Sequence, residues 1–344
     1  MYRTKVGVDL AKKVIQVCIY RDKKVLSNVE MTPDEFLCWL VAAKPAMIIF
    51  EACGTSNYWL QRAREAGHDA RLISAKLVSI VRQNQKTDKN DALAIIQAAL
   101  LPDVTFISGK NAEQQQLQSI QRLRELAIRQ RDASRKQIVA LLLELNFRSP
   151  NSGTGMIGKI EDILEDAENG LSLVFRQALS AAKNQFELMV KTIATYDRSL
   201  EKSIQTHPDC KKLLKLEGVG PINAVNLYIS LGCAESGTFS KGKDASACLG
   251  LTPIQHSSGG KVKLGTIGKC KNSMLRAQLI TGAMAVVRAI VNREAKTKKE
   301  VWLKALAERR GNKCAAVALA NKTVRTAFAM LAKGTEYKAE LLAA

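Results

Sequence analysis

Asp88 and Asp91 stand three residues apart in KTDKNDALAI (86 to 95), with Lys86 and Lys89 beside them, in a chain of formal net charge +20. On a helix that spacing projects both carboxylates from one face. Two more carboxylates fall where strands should end, Asp9 after KVGV and Glu51 after MIIF. Four converging carboxylates repel one another without cations, and Mg²⁺, which takes oxygen ligands in an octahedral array, suits such a set, with Mn²⁺ as a substitute. Two such ions ~4 Å apart bind both the attacking and the leaving oxygen of a phosphoryl transfer. Lys86 and Lys89 then suit a phosphate backbone lying across the site. Each motif alone has a plainer reading: Asp88 as a helix cap, Asp91 complementing the helix dipole, Asp9 in a turn, Glu51 at a solvated strand end. What favours the shared site is the order GVDLA, FEACG, TDKNDA, each in a matching context.

A second chemical stretch is GLTPIQHSSGGKVKLG (250 to 265), where small residues set Ser257 and Ser258 between His256 and the basic residues Lys261, Lys263, Lys269, Lys271 and Arg276. Adjacent serines before Gly-Gly are ordinarily a loop; in a nucleic-acid enzyme the same loop offers a nucleophile. Upstream, LLKLEGVGPINAVNLYISLG (213 to 232) reads as helix, tight turn, helix. Gly218 and Gly220 fit a helix-hairpin-helix turn whose N–H groups hold a backbone phosphate, or a plain interhelical turn.

Three kinds of segment must position these residues. Residues 1 to 108 alternate strand and helix signals. KVGVDLA (5 to 11), VIQVCIY (14 to 20) and KVLSNVEM (24 to 31) read as an antiparallel meander. A helix near Phe36 to Ala43, the strand AMIIFEA (46 to 52), a helix from Ser56 to Ala66, the strand DARLISA (69 to 75) and helices to Leu101 follow. This α/β pattern is that of a ribonuclease H-like domain, in which the first strand and AMIIFEA are neighbours. Residues 109 to 206 carry no strand signal. A helix from Glu113 to Asn146 would be ~50 Å long. Beyond it, Leu179, Phe186, Ile193 and Leu200 recur every seven residues, with Ala182, Met189 and Tyr196 between, as in a coiled-coil seam or, more plainly, a long helix packed on its own domain. Residues 207 to 344 read as mostly helical.

The balance of 52 Lys+Arg against 32 Asp+Glu, with an excess of 13 positive charges from Ser258 onward, calls for a polyanionic partner. Nucleic acid fits better than a membrane, because no apolar run approaches the ~20 residues that span a bilayer. The N-terminus places Asp9 and lysines where a signal peptide needs apolar residues, so the expected compartment is the cytosol. The eight cysteines show no ligand spacing and read as reduced, mostly buried thiols.

GVDLAKK, FEACGTSNYW, KTDKNDALAI, LEDAENGLS, GVGP and GLTPIQHSSGGKVKLG, in this order and spacing, closely resemble the DEDD transposases of insertion sequence family 110, best its 1111 subgroup. The resemblance runs through NKTVRTAFAMLAKGTEY and covers essentially the whole chain. It implies a RuvC-like (ribonuclease H-like) domain, a helical coiled-coil middle and a C-terminal transposase domain. Carried over by position, the family's acidic tetrad falls on Asp9, Glu51, Asp88 and Asp91, and its serine nucleophile on Ser258. It further implies Mg²⁺ at the tetrad, a phosphoserine link to DNA, and a structured noncoding guide (bridge) RNA that pairs with donor and target DNA. The protein would then be a homo-oligomer, dimer or tetramer, through its coiled coil, working at the nucleoid of a prokaryote. This chain departs from the family's Ser-Lys-x-Gly-Asn/Asp pattern in GKCKNSMLR, where Gly268 and Lys271 take the Ser and Gly positions.

Other functions share parts of this pattern. A junction resolvase or DNA invertase would use the same tetrad. An actin-like ATPase also ends its first strand in Gly-x-Asp, but needs further glycine-bearing phosphate loops that the sequence lacks. A non-catalytic nucleic-acid binder has no need of four intact carboxylates.

Overall fold

A computed structural model describes residues 4–231, 239–268 and 273–340. The first elements are β1 (Lys5–Leu10), β2 (Ile15–Arg21), β3 (Lys24–Met31), α1 (Pro33–Ala42), β4 (Met47–Glu51), α2 (Ser56–Glu65), β5 (Asp69–Ile73), α3 (Ala75–Val81) and α4 (Asp88–Ala99). They build a five-stranded sheet in the order β3-β2-β1-β4-β5. β1, β2 and β3 form the expected antiparallel meander, and β4 and β5 add in parallel beside β1.

The central strands β1 and β4 are buried on both faces, and strand alternation sorts their residues. Val6, Val8, Ile48 and Phe50 pack with Phe36 and Leu40 of α1 and Trp59 and Leu60 of α2. Met47 and Ile49, on the other parity, pack with Val78 of α3 and Ala94, Ile95 and Ala98 of α4. Asp9 and Glu51 share that second parity, one residue beyond the Val8–Phe50 pair at the carboxyl ends of two parallel neighbours. Gly7 also faces α4. A Cβ there would lie 2.2 Å from the Ala92 carbonyl oxygen and 2.7 Å from Ile96 Cγ1, so only glycine lets the helix lie this close to β1.

The remaining elements are α5 (Ala112–Glu144), α6 (Gly153–Glu165), α7 (Leu173–Thr206), α8 (Pro208–Leu213), α9 (Pro221–Leu231), α10 (Gly242–Cys248), β6 (Pro253–Gln255), β7 (Leu264–Ile267), α11 (Ser273–Val291), α12 (Lys298–Arg310) and α13 (Asn312–Lys333). The chain divides into two units. One holds residues 1–115, 216–218 and 227–344, the other 116–215 and 219–226.

In the second unit one stripe of the α7 seam is filled by the chain itself. Leu179 and Phe186 pack on Ile138 and Leu142 of α5 and on Met156, Ile160 and Ile163 of α6. Ile193 and Leu200 are buried as well, and Arg124 of α5 donates to Asp197 of α7. The other stripe of the seam stays open: Met189 and Tyr196 of α7, with Leu188 and with Leu123 and Leu126 of α5, line a groove of about 380 Å³.

In the first unit α11, α12 and α13 pack together around Leu279, Leu303, Leu319 and Val324. Gly218, at φ +76°, abuts the α11 backbone: a Cβ would come 2.8 Å from the Gly282 carbonyl. β6 and β7 form a two-stranded hairpin where the sequence reading expected only loop. Gly259 (φ +55°) and Gly260 (φ +76°) make its turn, closed by the Ser258–Lys261 bridge, which is the backbone that primed hairpin turns require.

Two expectations need correction. By length and composition α11 could cross a membrane, contrary to the reading that no apolar run approaches that length. Arg276 and Arg288 interrupt its sequence, while Leu275, Leu279, Ala283, Val287 and Ile290 face the protein interior. Of the six described cysteines, all of them thiols outside any disulfide, only Cys18 and Cys210 are buried; Cys38, Cys53, Cys248 and Cys314 are exposed, because they lie on the outer sides of their helices or in a loop. Cys233 and Cys270 lie outside the described residues.

Replacing Gly7 with Ala should force α4 off β1 and cost about 1–3 kcal/mol, as overpacking does. The check is a lower thermal or urea midpoint for Gly7→Ala, with Gly54→Ala, which meets nothing within 4 Å, as the neutral control.

Candidate functional site

The four acidic residues singled out in the sequence come together at one edge of the sheet. Asp9 ends β1, Glu51 ends β4, and Asp88 and Asp91 lie in the first turn of α4. Their proximity is visible in their electrostatics. Burial, then the charges of Asp91 and Asp88, pushes the Asp9 carboxyl above its ordinary value, against the pull of Lys86 and the Leu10 amide. Burial, then Asp9 and Asp91, likewise raises Glu51, opposed by Lys86 and Arg82.

Asp91 is only 7% exposed and is held by two cations: Arg82 Nη1 donates to it at 2.7 Å and Lys86 Nζ lies at 3.6 Å. Asp88 is exposed. It is the first residue of the helix and not its cap, because Thr87 holds that place, its hydroxyl accepting from the Asn90 amide. Lys86 leans over the acidic group, so the sequence reading of it as a rim contact needs the addition that it partners Asp91. Lys89 is exposed, and its carbonyl accepts from Asn28 Nδ2 at 3.0 Å.

Two contributors escaped the sequence reading. Arg82 caps α3 nine residues before Asp91, outside any helical period, and only the α3–α4 packing brings it to the carboxylate. Gln16, paired with Asp9 across β1 and β2, donates to Asn28, which in turn donates to the Lys89 carbonyl. This polar path ties the meander to the first turn of α4. The alternation of β2 hides it, since a polar residue at an inward position looks like an outward one.

The donor set, four carboxylates with two raised by burial and mutual repulsion, has the chemistry a hard divalent cation takes. As placed, no three Asp, Glu, His or Cys side chains among the described residues stand close enough to hold one metal ion together. Arg82 and Lys86 supply cationic charge there.

The hairpin residues lie at the exposed β6–β7 turn. Ser257 Oγ is engaged, accepting from the Lys263 amide (3.2 Å) and from Gln255 Nε2 (2.8 Å). Ser258 joins the turn through its carbonyl, which accepts from the Lys261 amide at 3.0 Å, and its side chain is exposed. His256 donates its amide to the Lys263 carbonyl at 2.9 Å. The side chains of Lys261 and Lys263 are exposed, whereas Arg276 reaches back to the Gly268 carbonyl. Lys269 and Lys271 lie outside the described residues. In the turn between α8 and α9, Gly220 faces open space while Gly218 is consumed by packing on Gly282. Glu217 beside them binds Lys299 Nζ (2.8 Å) and the Tyr337 hydroxyl (2.5 Å), so a residue near the C-terminus holds this turn.

A mixed sheet with clustered carboxylates at its parallel strand ends, joined to a strongly basic helical remainder, defines a nucleic-acid-processing class of protein. Comparison with known proteins narrows this. A family model described as transposase of the IS116/IS110/IS902 family matches residues 210–300, and a DEDD transposase model of the IS110 type matches residues 6–147. A probable family 20 transposase of Pseudomonas aeruginosa is 33% identical over 341 residues, 98% of this chain and 99% of that protein. The transposase for insertion sequence element IS1111A of Coxiella burnetii is 33% identical over 333 residues, 96% of this chain and 90% of that one. The chain belongs to the IS110/IS1111 family of DEDD-type transposases, enzymes of DNA recombination.

Removing Arg82 would leave Asp91 buried beside two other acids. Arg82→Ala should cost about 2 kcal/mol, less than the ~3–5 of a fully buried pair because the guanidinium is partly solvated. Adding Asp91→Asn should restore most of that loss, and a double-mutant cycle in urea unfolding without such coupling would refute the pairing. Burial pushes the Glu217 carboxyl up, but the hydrogen bonds from Lys299 and Tyr337 outweigh it and hold the carboxyl below its ordinary 4.5. Its contribution to stability is therefore present above pH 4.5 and lost as pH falls through the lower folded value. Glu217→Gln should flatten that part of the acid-unfolding curve.

Proposed function

We propose that this transposase cuts and rejoins DNA through a phosphoserine intermediate, with Asp9, Glu51, Asp88 and Asp91 as its acidic tetrad and Ser258 as its nucleophile. The observation that carries the reading is the arrival of the four carboxylates from the ends of β1 and β4 and the first turn of α4, close enough that Asp91 and Asp88 act on Asp9, and Asp9 and Asp91 on Glu51. A RuvC-like sheet accounts for their order, and a helix-hairpin-helix at residues 213 to 232 accounts for the open Gly220 turn.

In this reading the Ser258 hydroxyl oxygen attacks a DNA phosphorus. A bond forms between Oγ and phosphorus, the bond to a sugar oxygen breaks, the serine proton is lost and the leaving oxygen is protonated. Reversal onto a second strand end rejoins the DNA. The tetrad would hold Mg²⁺ or Mn²⁺, whose chemistry when bound is to neutralise the phosphate and stabilise the attacking and leaving oxygens. Lys86, Lys89, Lys261 and Lys263 would bind flanking phosphates. The exposed position of Ser258, beside the free side chains of Ile254, Val262 and Leu264, suits a hairpin that is covered only when DNA and a second copy assemble around it. One copy's serine would then meet another copy's tetrad.

The partners proposed are donor and target DNA and a structured noncoding guide RNA. Base pairing would supply sequence specificity while the protein reads shape and backbone, which suits a basic chain with 5% aromatic residues. The coiled-coil part of the oligomer would form on the face bearing Leu123, Leu126 and Leu188 with Met189 and Tyr196 of the seam, since the stripe with Leu179 and Phe186 is already filled.

Ser258→Ala should abolish a covalent protein–DNA adduct trapped on denaturing gels, and Asp88→Ala should block strand cleavage in the presence of Mg²⁺. An adduct that persists in Ser258→Ala would sink the nucleophile assignment. Sequencing the RNA that copurifies with the protein should return one structured species, and its absence would remove RNA guidance and favour a protein-only invertase or resolvase.

A further inference from the structure

The first unit contains a groove of about 1210 Å³ at the base of the β6–β7 hairpin. One face of α13 forms its floor, and Pro253, Gly265 and Ile267 of the hairpin form one wall. Five cations line it, Lys241, Lys243, Lys322, Arg325 and Lys333, and no carboxylate does. All five are exposed, and none is paired with a carboxylate among the described residues. Trp302 closes another side at 39% exposure, with Lys322 Nζ 5.0 Å from its ring centroid. The other two tryptophans are engaged in the sheet domain, Trp59 in its core and Trp39 stacked on Phe36 and His68.

Cations spaced along a groove with an apolar floor and one accessible indole are the combination that takes an unpaired nucleic-acid strand: phosphates meet the cations and a base stacks on the ring. A paired duplex offers no base face to Trp302. The hairpin decides which strand. Five residues separate Pro253 in the wall from Ser258 at the tip, a reach of at most about 18 Å. At 3.4 Å per base along a strand, that is about five nucleotides.

We infer that this groove holds, unpaired, the DNA strand flanking the phosphate that Ser258 attacks, with its backbone on Lys322 and Arg325 and one base on Trp302. The choice of DNA and of this strand rests on the Ser258 reading; the capacity to bind an unpaired strand rests on the groove alone.

Binding of a short oligothymidylate to the full chain, followed by tryptophan emission and anisotropy across a salt series, separates the two. Binding should quench the emission, and Trp302→Phe should remove most of the quench. The double variant Lys322→Gln, Arg325→Gln, at two exposed positions, should bind at least tenfold more weakly, with a salt slope shallower by about 1.4, the value for two lost contacts to a single strand. Ser258→Ala should bind as the wild type does while losing its adduct. Unchanged affinity and slope in the double variant would overturn the groove. Tighter binding of oligouridylate than of oligothymidylate would overturn the assignment to DNA. If Ser258→Ala keeps its adduct while the double variant still loses affinity, the flanking-strand placement fails and the groove stands.

Discussion

The close approach of α4 to β1 is the constraint on which the site depends. Helices usually pack on a sheet through side chains from both layers, which holds their backbones well apart. Here Gly7 contributes no side chain, and the Ala92 carbonyl sits where a Cβ would be. Asp91, one residue before Ala92, is thereby carried toward Asp9, two residues after Gly7. The Thr87 cap and the Asn28 bond to the Lys89 carbonyl fix where the helix begins. The remaining carboxylate comes from strand register: parallel pairing of β1 with β4 sets Glu51 beside Asp9.

Bringing acids together in this way opposes stability, and the fold answers with charge. Arg82 lies against the most buried acid, and Lys86 pulls on three of the four. The rest of the chain carries the opposite imbalance, with most of its excess positive charge after Ser258. A polyanion relieves the second imbalance, and cations relieve the first. A phosphodiester bound with divalent ions supplies both, which is the electrostatic sense of the proposed chemistry.

The helical unit makes a different point about inference from pattern. The seven-residue recurrence in α7 is real, and Leu179, Phe186, Ile193 and Leu200 are buried, yet α5 and α6 of the same chain bury Leu179 and Phe186. Periodicity reports that a stripe is covered. It does not report by which copy, because an intramolecular helix and a partner's helix present the same apolar surface to the seam.

Sequence alone determined the strand and helix order of residues 5 to 101, because the β-branched runs of β1, β2 and β3 and the apolar run of β4 are local properties of neighbouring residues. It also identified the four acids, through their order and their positions at element ends. Tertiary structure decided what those acids touch. Arg82, Gln16 and the packing role of Gly218 depend on residues far away in the chain, and no local period encodes such a meeting. The β6–β7 hairpin lies between these cases. Its Gly-Gly turn was readable, but its strands are short and exposed, so they lack the inward apolar alternation that marks a strand before its partner is known.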